Sequence, residues 1–251
     1  MSGHSKWSSI KHKKGAADVK RGKLFSKLSR AIIVAAKEGG PDPSGNLALQ
    51  NAIEKAKSYS MPKDNIDRAI AKGAGTDADA AAFETIVYEG YGPSGVAVIV
   101  EALTDNRNRT AGEVRHTFAK NDGNLGTAGA VAWLFERRGI VLVDAKGVDE
   151  DELTLAAAEG GADDVTLDGS VYQVLAAPEQ LAAVREAVES AGFAIDSAEL
   201  TMVPKTTVEV ADEGDAKKVL RLLEQLEDND DVQDVYANFD IPEQVLEGVA
   251  G

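Results

Sequence analysis

Hydrophobic positions along the chain fall into two regimes. From Asp18 to Gly73 they recur at helical spacing, and from Phe83 onward they alternate or run continuously. The first regime predicts three helices. Leu24, Leu28, Ile32 and Ala35/Ala36 mark one that starts at Asp18 as N-cap and stops at Gly39-Gly40 before Pro41. A second spans about 44–58, with Leu49, Ala52, Ile53 and Ala56 on one face. A third opens at Pro62, whose fixed φ suits a first helical turn, carries Ile66, Ala69 and Ile70, and ends at Gly73. Residues 1–17 show no sustained period and read as a mobile basic arm, and 72–82 (KGAGTDADAAA) reads as a linker.

The second regime predicts strands at 83–89, 95–103, 131–135, 140–143, 165–167, 171–175, 195–203, 206–210 and 232–239. Helical spacing returns at about 107–120, 149–159, 178–191 and 214–227. Residues 139–204 then read β-α-β-β-α-β, the split βαβ arrangement. Removing that block leaves strands 95–104, 131–136, 206–210 and 232–239 with helices 107–120 and 214–227, the same pattern again. The expected fold class is α+β: an N-terminal three-helix bundle followed by two ferredoxin-like α+β domains, one inserted in the other. The expected domains are 1–75 (basic arm and helical bundle), 80–137 plus 205–241 (discontinuous α+β), and 138–204 (inserted α+β).

Charge changes the picture by separating the two regimes. Residues 1–75 hold fifteen Lys or Arg against six acids, net +9, inside a chain of net charge −15. The remainder is therefore net −24. A cationic pole on an anionic body points to a polyanionic partner, and nucleic acid is the commonest one, because phosphates release condensed counterions to Lys and Arg. No run approaches eighteen apolar residues, so no membrane helix is expected. The N-terminus lacks the apolar core of a secretory signal. Zero cysteines exclude disulfides, thiolate zinc sites and a cysteine nucleophile, and three histidines make a multi-histidine metal site unexpected. A cytoplasmic protein without cofactor is the expectation.

Within the arm, His4, Trp7 and His12 alternate with Lys6, Lys11, Lys13 and Lys14, pairing ring faces for unpaired bases with phosphate contacts. The alternative is that Trp7 packs on the bundle and the lysines are solvated. On the first helix, Lys20, Lys23, Lys27 and Arg30 line one face beside Arg21, a stripe suited to a phosphate backbone. With no Asn or Gln in it, backbone-dominated binding is expected, and charge reversal there should leave stability nearly unchanged. A second candidate is TDNRNRTAGEVRHTF (104–118). Its Arg107, Arg109, Arg115 and His116 either meet phosphate or serve helix capping and internal ion pairs with acids such as Glu101 or Glu113. The loop NDGNLGTAG (121–129) reads as a turn rather than as a phosphate cradle. GYGPSG (90–95) satisfies G-x-G-x-x-G by letter, but Pro93 and the strand after it make it a hairpin turn. Asp105, Glu113 and Asp122 could be assembled into a metal-binding acid set, but acids are so abundant that catalysis is not expected.

GHSKW (3–7), IKHKK (10–14), LFSKLSRAI (24–32), MPKDNIDRAI (61–70), YEGYGPSGVAVIVEALTDNRNRT (88–110), EVRHTFAKNDGNLG (113–126) and VAWLFERRG (131–139) resemble the YebC family over nearly the whole chain. Asp122 departs from the Gly-Gly that this family's loop often carries. The resemblance implies a three-domain cytosolic protein without established catalytic residues. Some members look like DNA-binding transcription regulators. Others resemble ribosome-associated factors that relieve stalling at consecutive prolines, and mitochondrial relatives activate translation of an oxidase subunit. The family's basic blocks map onto His4, Lys6, Trp7, Lys11, Lys13, Lys14, Arg107, Asn108, Arg109, Arg115 and His116.

The expected function is therefore a non-enzymatic nucleic-acid-binding regulator of gene expression. The partner is DNA or ribosomal RNA, with the ribosome as the alternative target. The rival reading is a protein-interaction module without a nucleic-acid role. A monomer is expected, since neither a zipper nor a clear helix-turn-helix is present.

Overall fold

A computed structural model of the chain describes residues 18–75 and 83–250. Three helices come first: α1 (Asp18–Gly39), α2 (Leu47–Ser58) and α3 (Lys63–Ala74). Leu28, Ile32, Leu49, Ile53, Ile66 and Ala69 close their shared core, as the helical spacing predicts. Asn46 makes the first corner. Its side chain accepts from Leu49 N–H at 3.0 Å and donates to Ala35 O (2.7 Å) and Gly40 O (2.8 Å), so one residue caps α2 and ties off the end of α1. Gly73 lets α3 approach α1, since a Cβ there would stand 2.4 Å from Ile33 O.

The next elements are β1 (Glu84–Tyr91), β2 (Ala97–Thr104), α4 (Arg107–Lys120) and β3 (Asn124–Leu125). They are followed by β4 (Phe135–Asp144), α5 (Glu150–Glu159), β5 (Ala162–Asp168), β6 (Val171–Ala176), α6 (Leu181–Ser190) and β7 (Ile195–Pro204). The chain ends with β8 (Val208–Glu209), α7 (Glu213–Glu227), β9 (Val232–Ala237), β10 (Phe239–Asp240) and α8 (Glu243–Ala250).

Strands β4 to β7 form an antiparallel sheet in the order β5-β6-β4-β7, with α5 and α6 on one face around Val141, Val143, Leu153, Val174, Val184 and Val188. This is the split βαβ pattern expected for 139–204. The other sheet differs from expectation. Its order is β3-β1-β2-β9, and β1, read as a strand outside the repeat, is the direct antiparallel neighbour of β2. Residues 131–134 are not a strand of it. They form a turn whose Val131 packs with Phe135, Ala97, Ile99 and Tyr236 on the face opposite α4 and α7. The sheet is therefore covered on both sides, which is why β2 reads as an unbroken apolar run. Residues 208–209 make only a short parallel pair with β10. Helix α8, absent from the expected elements, lays Val245, Leu246 and Val249 on the core of this unit.

The separate cores of the bundle and of the two α+β units are the ground on which we propose the domain limits given above, with a fourth, smaller cluster joining Phe135 and Met202 to Ala97, Ile99 and Tyr236. Between β1 and β2, GYGPSG is a tight turn with Ser94 (φ 57°) and Gly95 (φ 76°) left-handed, and Gly92 N–H closes it on Val96 O at 2.7 Å. It is a hairpin connection, as its sequence context indicates.

Candidate nucleic-acid interface

The cationic stripe of α1 lies against the end of α7. A helix leaves its last carbonyls unpaired, and its dipole places partial negative charge there. Lys27 Nζ donates to Glu227 O, and Lys23 Nζ lies 3.5 Å from Asp228 O and 3.8 Å from the Asp230 carboxylate. Arg30 Nη1 donates to Leu103 O (3.3 Å), Asp230 O (3.1 Å) and Asp231 Oδ1 (3.1 Å), with its guanidinium 5.0 Å from the centre of the Phe83 ring. Three of the four cations of this stripe, read from sequence as suited to a phosphate backbone, dock α1 onto the sheet unit that follows, so the expectation that charge reversal there leaves stability nearly unchanged is corrected. Lys20 and Arg21 lie in the first turns of the same helix. Arg30→Ala is expected to cost about 2 kcal/mol in urea unfolding, the range for charge-assisted hydrogen bonds. Lys23→Ala, with a half-exposed side chain, should cost no more than about 0.5 kcal/mol.

The TDNRNRT segment turns inward as much as outward. Thr104 Oγ1 accepts from Asn106 N–H (2.9 Å), and Asn106 Oδ1 caps α4 by accepting from Arg109 N–H (3.1 Å). All of this gathers around Asp231, 4% exposed at the start of β9. Arg109 Nη2 donates to Asp231 Oδ2 at 2.7 Å, and the Thr110 and Thr104 hydroxyls lie 2.7 and 3.2 Å from the same oxygen. Arg109 also bridges to Asp105 at 2.9 Å. Burial acts to raise the Asp231 pKa, but the bonds from Arg109 and Thr110 outweigh it and hold the carboxyl below the ordinary aspartate value. Capping and ion pairing thus account for Arg109, with Asp231 and Asp105 in place of the Glu101 or Glu113 expected from sequence.

What α4 leaves outward is a smaller cationic face. Thr110, Val114 and Phe118 point to the core, while Asn108, Gly112, Arg115, His116 and Ala119 are exposed on the opposite side. Arg107, exposed in the first turn, has Glu84 at 4.0 Å, the outer limit of an ion pair. Among the described residues no hydrogen bond or ion pair engages Arg115 or His116. Gly112 sits mid-helix, where glycine costs about 1 kcal/mol relative to alanine, yet a Cβ there would meet nothing within 4 Å. No internal packing demands that glycine.

The loop 121–129 spends its N–H groups internally. Gly123 N–H donates to Phe118 O (2.9 Å) and Gly126 N–H to Glu89 O (2.8 Å). The buried Glu89 carboxylate takes the N–H groups of Gly129 (2.7 Å), Val131 (2.8 Å) and Ala132 (2.7 Å). Burial acts to raise the Glu89 pKa, and these three donors bring it below the ordinary glutamate value. The turn reading holds, because the carboxylate already occupies the place of an anion. Asp122 adopts the left-handed region (φ 58°) and pairs with Lys218 at 2.8 Å. Asp105, Glu113 and Asp122 go separately to Arg109, Asn229 and Lys218, and among the described residues no acid or histidine cluster could hold a metal. His4, Lys6, Trp7, Lys11, His12, Lys13 and Lys14 lie outside the described residues. No described helix is long and apolar enough to cross a membrane.

Sequence reasoning missed the Asp231 node and a second polar seam. There Lys55 of α2 donates to Asp234 of β9, near Glu199 of β7. Burial acts to lower the Lys55 pKa, but Asp234 and Glu199 hold it above the ordinary lysine value. In both cases the partners are too far apart in sequence for spacing to signal them.

Comparison with known proteins adds the following. Residues 5–76 match the model of the TACO1/YebC protein N-terminal domain, and 83–239 match that of the TACO1/YebC second and third domain. A "Probable transcriptional regulatory protein" of Rubrobacter xylanophilus is 58% identical over 251 residues, covering all of both chains. One of Desulfotalea psychrophila is 57% identical, again over the full length of both. A crystal structure of a conserved hypothetical protein from Aquifex aeolicus is 53% identical, with a TM-score of 0.80, over 91% of this chain and 94% of that one.

Proposed function

Because this chain belongs to the TACO1/YebC family, we propose that it is a non-enzymatic regulator of gene expression that grips nucleic acid by its phosphates. The grip comes from the arm (His4, Lys6, Trp7, Lys11, His12, Lys13, Lys14), extended by Lys20 and Arg21. The outward face of α4 (Arg107, Asn108, Arg115, His116) supplies a second contact. One observation carries this reading: among the described residues Arg115 has no ion-pair partner beside an unobstructed glycine on α4, in a segment of net charge −24 where acids are abundant enough to neutralise it. The names of the relatives, transcriptional regulators, support the same function class. A cytoplasmic monomer is the matching setting.

Ribosomal RNA is the second reading. The outward face of α4 carries only one amide side chain, Asn108, so it is poorly equipped to read bases in a groove. RNA surfaces recognised through backbone and unpaired bases fit it better. The test is an anisotropy titration of Arg107→Glu/Arg115→Glu with duplex DNA and structured RNA. Affinity should fall for every sequence alike, and the salt slope on duplex should shrink by about 2, one unit per lost phosphate. The melting temperature should stay within about 2 °C, since both side chains are exposed. Unchanged affinity for both polymers would remove α4 from the interface.

A further inference from the structure

Trp133 is held out of the protein rather than packed into it. It is 65% exposed, although its neighbours Val131 and Phe135 are buried under the sheet at 0% and 4%. Full burial of such a ring would stabilise the fold, yet the turn Ala132–Leu134 turns it to solvent. The turn is fixed on all sides. Glu89 takes the N–H groups of Gly129, Val131 and Ala132 at its entrance, and the Trp133 Nε1–H donates to Ala130 O at 3.1 Å, the same oxygen that accepts from the Tyr91 hydroxyl at 3.1 Å. Internal structure accounts for the polar edge of the indole and not for its exposed faces.

The surroundings of the ring select the chemistry that would cover it. Lys205 joins the turn through its N–H to Leu134 O (2.8 Å), and its ammonium lies 3.1 Å from Trp133 O. Residues 123–135 contain no charged residue, in a chain with 42 acids. The acids at either end are paired, Asp122 with Lys218 (2.8 Å) and Glu136 with Arg138 (3.4 Å). An exposed ring with the Lys205 ammonium at its own residue's carbonyl, and with the nearby Glu89 carboxylate already taken up by backbone N–H groups, matches one nucleotide: the base on the indole face and the phosphate on the lysine.

We propose that Trp133 and Lys205 form a stacking subsite for an unpaired nucleotide, separate from the arm and from α4. The inference rests on the nucleic-acid reading above, and its test distinguishes the two. The chain has two tryptophans, so in a Trp7→Phe background the emission reports Trp133 alone. That protein is titrated at low salt with a fluorescein-labelled single-stranded RNA, whose anisotropy reports binding, and with a duplex of equal length. Single-stranded RNA should quench the indole in step with the anisotropy rise, and duplex should bind without comparable quenching. Trp133→Ala should weaken single-strand binding about fivefold to thirtyfold, Trp133→Phe should retain most of the affinity, and neither should shift the melting temperature appreciably. If anisotropy reports binding while the emission stays constant and Trp133→Ala binds normally, the subsite is refuted and the nucleic-acid reading stands. Equal quenching by duplex would refute stacking as the mode. Absence of binding of either polymer by the wild-type chain would refute the proposed function and the subsite with it.

Discussion

Asp231→Ala lowers the free energy of unfolding by about 3–5 kcal/mol, the cost of removing one partner from a buried, hydrogen-bonded ion pair. The alanine would leave Arg30 without its Asp231 contact and Arg109 with Asp105 alone, and the Thr104 and Thr110 hydroxyls, buried beneath α4, would lose their shared acceptor. It would also loosen the seat of α1, because Arg30 reaches this carboxylate from the helical unit. Urea unfolding of the full chain measures the loss. Asp231→Asn keeps the shape and should cost less, while giving up the charge that both guanidinium groups use. The pH dependence has a definite sign. A carboxyl whose folded pKa lies below its unfolded value contributes fully above the unfolded value, and that contribution is lost as pH falls through the folded one. Wild-type stability should therefore drop on acidification below about pH 4, with Glu89 acting in the same direction, and the Asp231→Asn curve should be flatter there. An Asp231→Ala protein as stable as wild type would show that the node is dispensable.

Deleting residues 1–17 weakens nucleic-acid binding about a hundredfold or more near 0.1 M salt, because four lysines leave together and each neutralised phosphate contributes to counterion release. The structure sharpens this expectation. With Lys23, Lys27 and Arg30 committed to α7 and its following loop, the stripe contributes less than sequence alone suggests, and the arm must carry more. If residues 1–17 act as an arm, the truncated protein should keep its unfolding midpoint. A truncation that binds as tightly as the intact chain would move the interface elsewhere.

Where the sequence was legible, periodicity and local chemistry agreed. The inserted β-α-β-β-α-β unit followed from its strand and helix spacing, and the end of α1 from Gly39-Gly40-Pro41. The other sheet was misread at VAWLF, an apolar run that looks like a strand but crosses a covered sheet face as a turn. β4 was split because Arg137, Arg138 and Gly139 interrupt its apolar pattern, although pairing with β7 runs on through them. Helix α8 has only eight residues, with three apolar positions to signal it. At the candidate interface, sequence picked out the cations but could not sort them. The carbonyls at the end of a helix carry no residue signature, so nothing near Lys27 announced Glu227 as its partner. Asp231 sits within an acidic run, EDNDD, that reads as a solvated face. The sequence marks Trp133 only as part of an apolar run, since exposure of a tryptophan is visible only once the fold is known.

A cationic head on an anionic body should hold a polyphosphate strand, and the affinity of the intact chain across a potassium chloride series reads this out. With about six of the eight cations of the interface engaged (Lys6, Lys11, Lys13, Lys14, Lys20, Arg21, Arg107 and Arg115), log affinity against log salt should fall with a slope of about −4 for single strands and about −5 for duplex. A flat response, or no binding of RNA or DNA at low salt, would contradict it.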